Sequence, residues 1–262
     1  MRYRWMVGMM LGIWSLVPGA DPAPDVAREQ RLADEISDAI MDGEALYLKA
    51  AEHEFLAIYT TTAAQPARGA VLLLHGRGYH PDWPELIHPL RVGLPQHGWN
   101  TLSIQLPVLD KDAKYIDYLP LFPAAVPRIE AAIAFLREQG NGRVVILAHS
   151  CGAHMAQHWI NARGAAATAQ FDGFIGIGMG ATDYRQPMQE TYALDRIKAP
   201  VLDLYAEQDF PAVQRMAPQR LALLQQAGNP WSRQMVVPGA DHYFTGYGAE
   251  LLEAVADWLA GL

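Results

Sequence analysis

The chain is predicted to be an α/β protein, a mostly parallel sheet with helices on both faces. Two observations carry that expectation. From residue 69 onward, short apolar runs alternate with stretches of helical spacing, the pattern of successive β-α units. No internal repeat and no linker between two cores interrupts the alternation.

Residues 25–41 read as a charged helix with Val26, Leu32, Ile36 and Ile40 on its apolar side, packing loosely on the rest. Residues 44–48 and 54–62 read as two strands of a hairpin, in which Phe55, Ala57 and Tyr59 alternate with Leu56, Ile58 and Thr60. This pair is expected to lie antiparallel at one edge of the sheet. Pro66 and Gly69 mark the turn over 63–69. Residues 69–74 form the first strongly buried strand, which runs into His75-Gly76-Arg77-Gly78. A helical segment follows around 83–97, closed by Gly98, and then a strand over 99–106 with Leu102, Ile104 and Leu106 on one face. Residues 110–122 read as a polar and aromatic loop. Residues 123–139 read as a helix, since Ile129, Ala132, Ile133 and Leu136 share a face and Gly140 can cap it.

Val144-Val145-Ile146-Leu147 is a short, partly β-branched apolar run and reads as a buried strand; a helix follows over 153–160. Residues 171–179 read as a strand, 180–194 as irregular chain, and 200–205 as another strand. A helix over 211–227 begins at Pro211, a residue suited to the first helical position. The last strand spans 232–237, and 251–259 is the closing helix.

Composition bounds the function. With 262 residues and 51% hydrophobic content, one good-sized core is expected: a single domain over 21–262, with its centre from about residue 69. A net charge of −8, without any lysine or arginine block, argues against nucleic acid as a partner. Cys151 is the single cysteine, which excludes an internal disulfide and a cysteine-based metal site. Residues 1–20 read as a secretory signal peptide: Arg2 and Arg4, an apolar stretch from Trp5, then small Gly19 and Ala20 near the expected cleavage point. The protein is therefore expected to be exported, periplasmic or secreted, with no stable membrane span after cleavage. An uncleaved tether is the competing reading.

The chemistry is expected at Ala148-His149-Ser150-Cys151-Gly152. A serine between small residues, on a tight turn from strand to helix, is the nucleophile-elbow pattern. The usual first glycine is alanine here. The bland alternative is a serine that caps the helix. Cys151 is rejected as nucleophile, because in its frame the residue two positions earlier is bulky His149. Functional groups on such a sheet gather at the carboxyl ends of the strands. Four strand ends carry His75-Gly76-Arg77-Gly78, Ser150, Asp209 and His242, and the last three follow the order serine, acid, histidine.

On these residues, together with Tyr205-Ala206-Glu207-Gln208-Asp209 and Gly239-Ala240-Asp241-His242, the chain from about residue 69 resembles the α/β-hydrolase superfamily. More narrowly, it is similar to exported bacterial hydrolase-like proteins of unassigned function. The resemblance implies the α/β-hydrolase fold and a Ser150-Asp209-His242 triad. It implies no particular substrate.

Each role has a physical reason. A serine hydroxyl needs a base to take its proton, and the imidazole of His242 is of the right chemical type. Asp209 would orient it, with Glu207 and Asp203 as nearby rivals and Asp241 as a turn residue. The backbone N–H groups of Cys151 and Arg77 are the expected oxyanion donors, with Gly76 and Gly78 allowing close approach. His75 is expected to hold that loop; His149 and His154 are expected to pack. His80, Asp82 and His88 have no defensible metal spacing, and neither a metal nor a cofactor is required. Tyr79, Trp83, Tyr115, Tyr118, Met179, Tyr184 and Met188 suggest an apolar or aromatic acyl group in the substrate. The expected activity is hydrolysis of a small acyl substrate, foremost a carboxylic ester. An amidase or peptidase with the same triad, or a non-catalytic envelope binding protein, are the alternatives.

Overall fold

A computed structural model describes residues 23–262. The signal-peptide assignment over 1–20 lies outside the described residues. In chain order the elements are α1 (Val26–Ser37), β1 (Glu44–Ala50), β2 (His53–Thr60), β3 (Gly69–Leu74), α2 (Ile87–Gly93), β4 (Trp99–Ile104), α3 (Tyr115–Tyr118), α4 (Phe122–Glu138), β5 (Val144–His149), α5 (Cys151–Arg163), α6 (Ala165–Thr168), β6 (Gly173–Ile177), β7 (Val201–Gln208), α7 (Pro211–Ala227), β8 (Arg233–Asp241) and α8 (Gly248–Ala260).

The strands form one eight-stranded sheet in the order β1-β2-β4-β3-β5-β6-β7-β8. β1 with β2 and β2 with β4 run antiparallel; every other pair is parallel. The antiparallel edge and the parallel body match the sequence pattern. Strands β3, β4, β5 and β6 are buried along their whole length, because helices cover both faces. One apolar layer packs Ile129, Ile133 and Leu136 of α4 and Trp159 of α5 against one face of the sheet. The other packs Leu90 of α2 and Leu251, Val255 and Leu259 of α8 against the opposite face.

Three expectations are revised. First, α1 is not loosely attached. Its buried Glu29 pairs with Arg128 of α4 at 2.9 Å and accepts the Val108 N–H at 3.3 Å. The anchor lies 99 residues away, out of reach of any local pattern. Second, residues 110–122 are not all loop, since α3 and a 3-10 turn at Leu119–Leu121 lead directly into α4. Tyr118 is fully buried there and its hydroxyl accepts the Leu109 N–H. The stretch Tyr115–Glu138 is long and apolar enough to cross a membrane, but half of it is buried in the protein, as for a core helix. Third, the helical segment expected over 83–97 is shorter: α2 begins at Ile87 and passes into a 3-10 turn at Leu94–His97, while Gly98 closes it as expected, in the left-handed region (φ 85°).

Candidate active site

Ser150 lies between β5 and α5 with φ 53° and ψ −117°. A non-glycine residue there is strained, and the strain persists because both flanking elements are fixed. The Ser150 N–H donates to the Ile177 carbonyl at 2.9 Å, and its own carbonyl accepts from Ala153 N–H at 3.0 Å. Gly152 is required by close packing: a Cβ there would collide with the His75 and Leu74 carbonyl oxygens. The alanine at 148 is tolerated within the sheet, where its register partners are Leu74 and Gly176.

Three side chains meet beside this turn. The Ser150 Oγ lies 2.9 Å from His242 Nε2, and His242 Nδ1 lies 2.6 Å from Asp209 Oδ1. The hydroxyl is half-buried, whereas His242 and Asp209 are buried. With Asp209 ionised, the network requires Nδ1–H to donate to the carboxylate, leaving Nε2 to accept from the serine. Asp209 also accepts the Phe210 N–H at 2.7 Å and the Ala206 N–H at 3.3 Å. It therefore caps no helix: α7 starts from Phe210 without a side-chain cap. The Phe210 ring stacks on the imidazole at 4.2 Å. His149 Nε2–H donates to the His242 carbonyl at 3.1 Å, which fixes His242 from its backbone.

The rival acids are occupied elsewhere. Asp203 is fully buried and pairs with Arg220 at 2.9 Å. Glu207 accepts the Gly239 N–H at 2.8 Å. Asp241 accepts the Tyr243 and Thr245 N–H groups at 3.0 Å, as a turn residue does.

The expected oxyanion residues, Arg77 and Cys151, both line the cavity above Ser150. Cys151 opens α5, so its N–H has no intrahelical acceptor. The strand-end loop carrying Arg77 is held by His75. His75 Nε2 accepts the Leu106 N–H at 2.9 Å, and Nδ1–H donates to the Gly76 carbonyl at 2.7 Å. Burial pushes His75 down to about 3, so it is neutral and this tautomer is stable. Burial likewise holds His149 at about 3 and His154 at about 4. The buried Cys151 thiol is pushed up to about 12, which leaves it unreactive.

The cavity over Ser150 is small, about 40 Å³. Of the aromatic and methionine residues suggested for it, Tyr79 and Tyr115 line it. Tyr118 and Met179 are buried in the core, Trp83 stacks behind Tyr79 at 3.8 Å, and Tyr184 and Met188 line neighbouring hollows. Phe210 and Tyr243 line the site and were not foreseen; Phe210 directly follows Asp209 and Tyr243 directly follows His242, which is the signal that points to them. Arg77 is clamped to Asp183 of the 180–194 segment at 2.5 Å. Burial works against the Asp183 carboxylate, but Arg77 and the Tyr115 N–H outweigh it and hold Asp183 below its ordinary value. Asp82 accepts from Arg91 Nε at 2.8 Å and lies 2.9 Å from His88 Nδ1, a structural network. Among the described residues, no three His, Cys, Asp or Glu side chains are grouped to hold a metal.

A family model described as "Protein of unknown function (DUF3530)" matches residues 15–117 and 124–251. No curated protein matches the chain. Among solved structures, it is similar to an alpha-beta serine hydrolase homologue from Coxiella burnetii (17% identity, TM-score 0.62, covering 83% of this chain and 98% of that one). It is also similar to Est1E from Butyrivibrio proteoclasticus (15%, TM-score 0.61, 83% and 98%). A third is a soluble variant of monoglyceride lipase from Saccharomyces cerevisiae (14%, TM-score 0.62, 85% and 96%). At these identities the likeness shows the fold, which is that of the α/β-hydrolases.

Proposed function

The chain belongs to the DUF3530 family, and we propose that it is a serine hydrolase acting on carboxylic esters. The observation that carries this reading is the unbroken relay from Ser150 Oγ to His242 to Asp209, at 2.9 and 2.6 Å. A fold shared with a serine hydrolase homologue and a monoglyceride lipase supports it.

Ser150 Oγ attacks the ester carbonyl as His242 Nε2 takes its proton. Asp209 holds the imidazole in the productive tautomer and offsets the imidazolium charge. The carbonyl oxygen becomes an oxyanion facing the N–H groups of Cys151 and Arg77. As the C–O bond to the alcohol breaks, His242 returns its proton to that oxygen, and the acyl group stays on Ser150. Water then attacks the acyl-serine with His242 again as base. The carboxylic acid leaves and Ser150 regains its proton.

A fluorophosphonate probe tests this directly. It is expected to label the wild-type protein at Ser150 and to leave Ser150→Ala unlabelled; labelling that survives the substitution rejects Ser150. Matched ester and anilide substrates separate an esterase from an amidase, and turnover of the ester alone is expected. We also propose export, on the N-terminal charge and apolar pattern. Cell fractionation is expected to place the protein outside the cytoplasm.

A further inference from the structure

A wider groove of about 570 Å³ opens beside the serine cavity. It shares Arg77, Thr182, Phe210 and Tyr243 with that cavity, so the two adjoin. Its charge is one-sided: the guanidiniums of Arg77, Arg185 and Arg215 face one carboxylate, Asp183. Arg77 and Asp183 engage each other through two contacts, at 2.5 and 3.3 Å, and Asp183 also accepts the Tyr115 N–H at 2.6 Å. That leaves Arg185 and Arg215. Among the described residues, neither forms an ion pair with a carboxylate.

Both are presented rather than stowed. Among the described residues, Arg215 makes only a 3.4 Å side-chain hydrogen bond, to the Pro211 carbonyl within its own helix. Arg185 stands over the Tyr184 ring at 4.9 Å and has φ 61°, a left-handed conformation that an arginine rarely adopts. Pro211 and Ala212 also line the groove, so the positive end of the 17-residue helix α7 faces the same space. Phe210, Tyr243 and Pro187 give it an apolar side, and Thr182, Tyr184 and Gln186 complete the lining. In a chain of net charge −8, this is a local cationic site beside a candidate nucleophile.

We propose that Arg185 and Arg215 bind a carboxylate carried by the substrate, so that the enzyme acts on anionic esters such as half-esters of dicarboxylic acids. This rests on the ester-hydrolase reading above and narrows it. The guanidinium fork matches a carboxylate, and the apolar wall accommodates the carbon chain between it and the scissile carbonyl.

The test compares the p-nitrophenyl monoester of adipic acid with p-nitrophenyl hexanoate. The wild-type ratio of kcat/KM is expected to favour the anionic ester by about tenfold or more, one charge-assisted contact contributing on the order of that factor. Arg185→Gln and Arg215→Gln are each expected to lower the ratio several-fold, and the double variant to abolish the preference. Arg233→Gln, at the other end of β8, is the control and leaves the ratio unchanged. High salt is expected to compress the wild-type ratio. A wild-type preference for the neutral ester, or a ratio unmoved in the double variant, overturns the proposal. Binding of adipate to Ser150→Ala by calorimetry reads the site without turnover. If no ester is cleaved but adipate binds and the double variant loses it, the hydrolase reading fails and the anion site stands. If adipate does not bind, the anion site falls whatever the kinetics of the neutral ester.

Discussion

Gly178 lies directly against the imidazole of His242. A Cβ built on Gly178 would come within 2.8 Å of His242 Cε1 and 3.0 Å of Nδ1. Its φ of 59° adds a second reason for glycine, and its N–H is tied to the Leu204 carbonyl at 2.9 Å. The turn after β6 is thus part of what seats the His242 ring. Gly178→Ala is expected to push the ring away from Ser150 and lower kcat about 10- to 100-fold with a smaller change in KM, as displacement on the scale of an ångström does. The left-handed backbone is expected to cost about 1–2 kcal/mol of stability in addition. Steady-state ester kinetics and urea melts check both, and an unchanged kcat sinks the argument.

Asp209 and Asp241 are distinguished by their partners, and kinetics is expected to follow. Asp209→Asn is nearly isosteric but cannot stabilise the imidazolium and favours the wrong tautomer. A fall in kcat of about 10³- to 10⁴-fold with the fold intact is expected. Asp241→Asn, whose carboxylate serves its own turn through Tyr243 and Thr245, is expected to change kcat by less than a few-fold. If the two variants lose activity equally, the assignment of the acid is wrong.

The buried pair Asp203–Arg220 makes a stability prediction. Arg220 also donates to the Met179 and Val213 carbonyls, both at 2.9 Å. Arg220→Met strands a carboxylate at zero exposure and is expected to cost about 3–5 kcal/mol. Removing the charge as well, in Asp203→Leu/Arg220→Met, is expected to recover a large part of that loss. Urea titrations of the three proteins measure it, and a double variant less stable than Arg220→Met contradicts it.

The body of the fold was legible because β3, β5 and β6 are almost wholly apolar runs, and the candidate site residues follow the ends of β5, β7 and β8. Ser150, Asp209 and His242 could be picked out for that reason, and Asp203 could be set aside because it lies inside a strand. Contacts made across the sheet were not legible. Glu29 and Arg128 meet over 99 residues, and nothing in the charged pattern of α1 announces that partner. Nor does an aromatic residue in an aperiodic stretch declare which way it faces: Tyr118 goes into the core while Tyr115 reaches the site. Four-residue helices such as α3 and α6 complete about one turn, too few for a period to show.

Three buried neutral histidines give the protein an acid sensitivity of predictable sign. His75, His149 and His154 are held by burial at about 3, 3 and 4, below the ordinary value of 6.5. The unfolded chain therefore binds more protons than the folded one once the pH drops below about 6.5. The contribution is fully present above that value and is lost progressively as pH falls toward 3. Each histidine adds a slope of at most about 1.4 kcal/mol per pH unit, so the three together reach about 4 near pH 5. The urea midpoint is expected to be flat from pH 8 to 7 and to fall steeply from pH 6 to 5. His154→Gln can keep an N–H donor for the Ala181 carbonyl, which His154 Nε2 meets at 3.1 Å, and it removes the titration. Its midpoint is expected to fall less steeply over the same interval, by about one proton of slope. A wild-type midpoint that does not move between pH 7 and 5, or a variant with the wild-type slope, contradicts the assignment of these imidazoles as neutral.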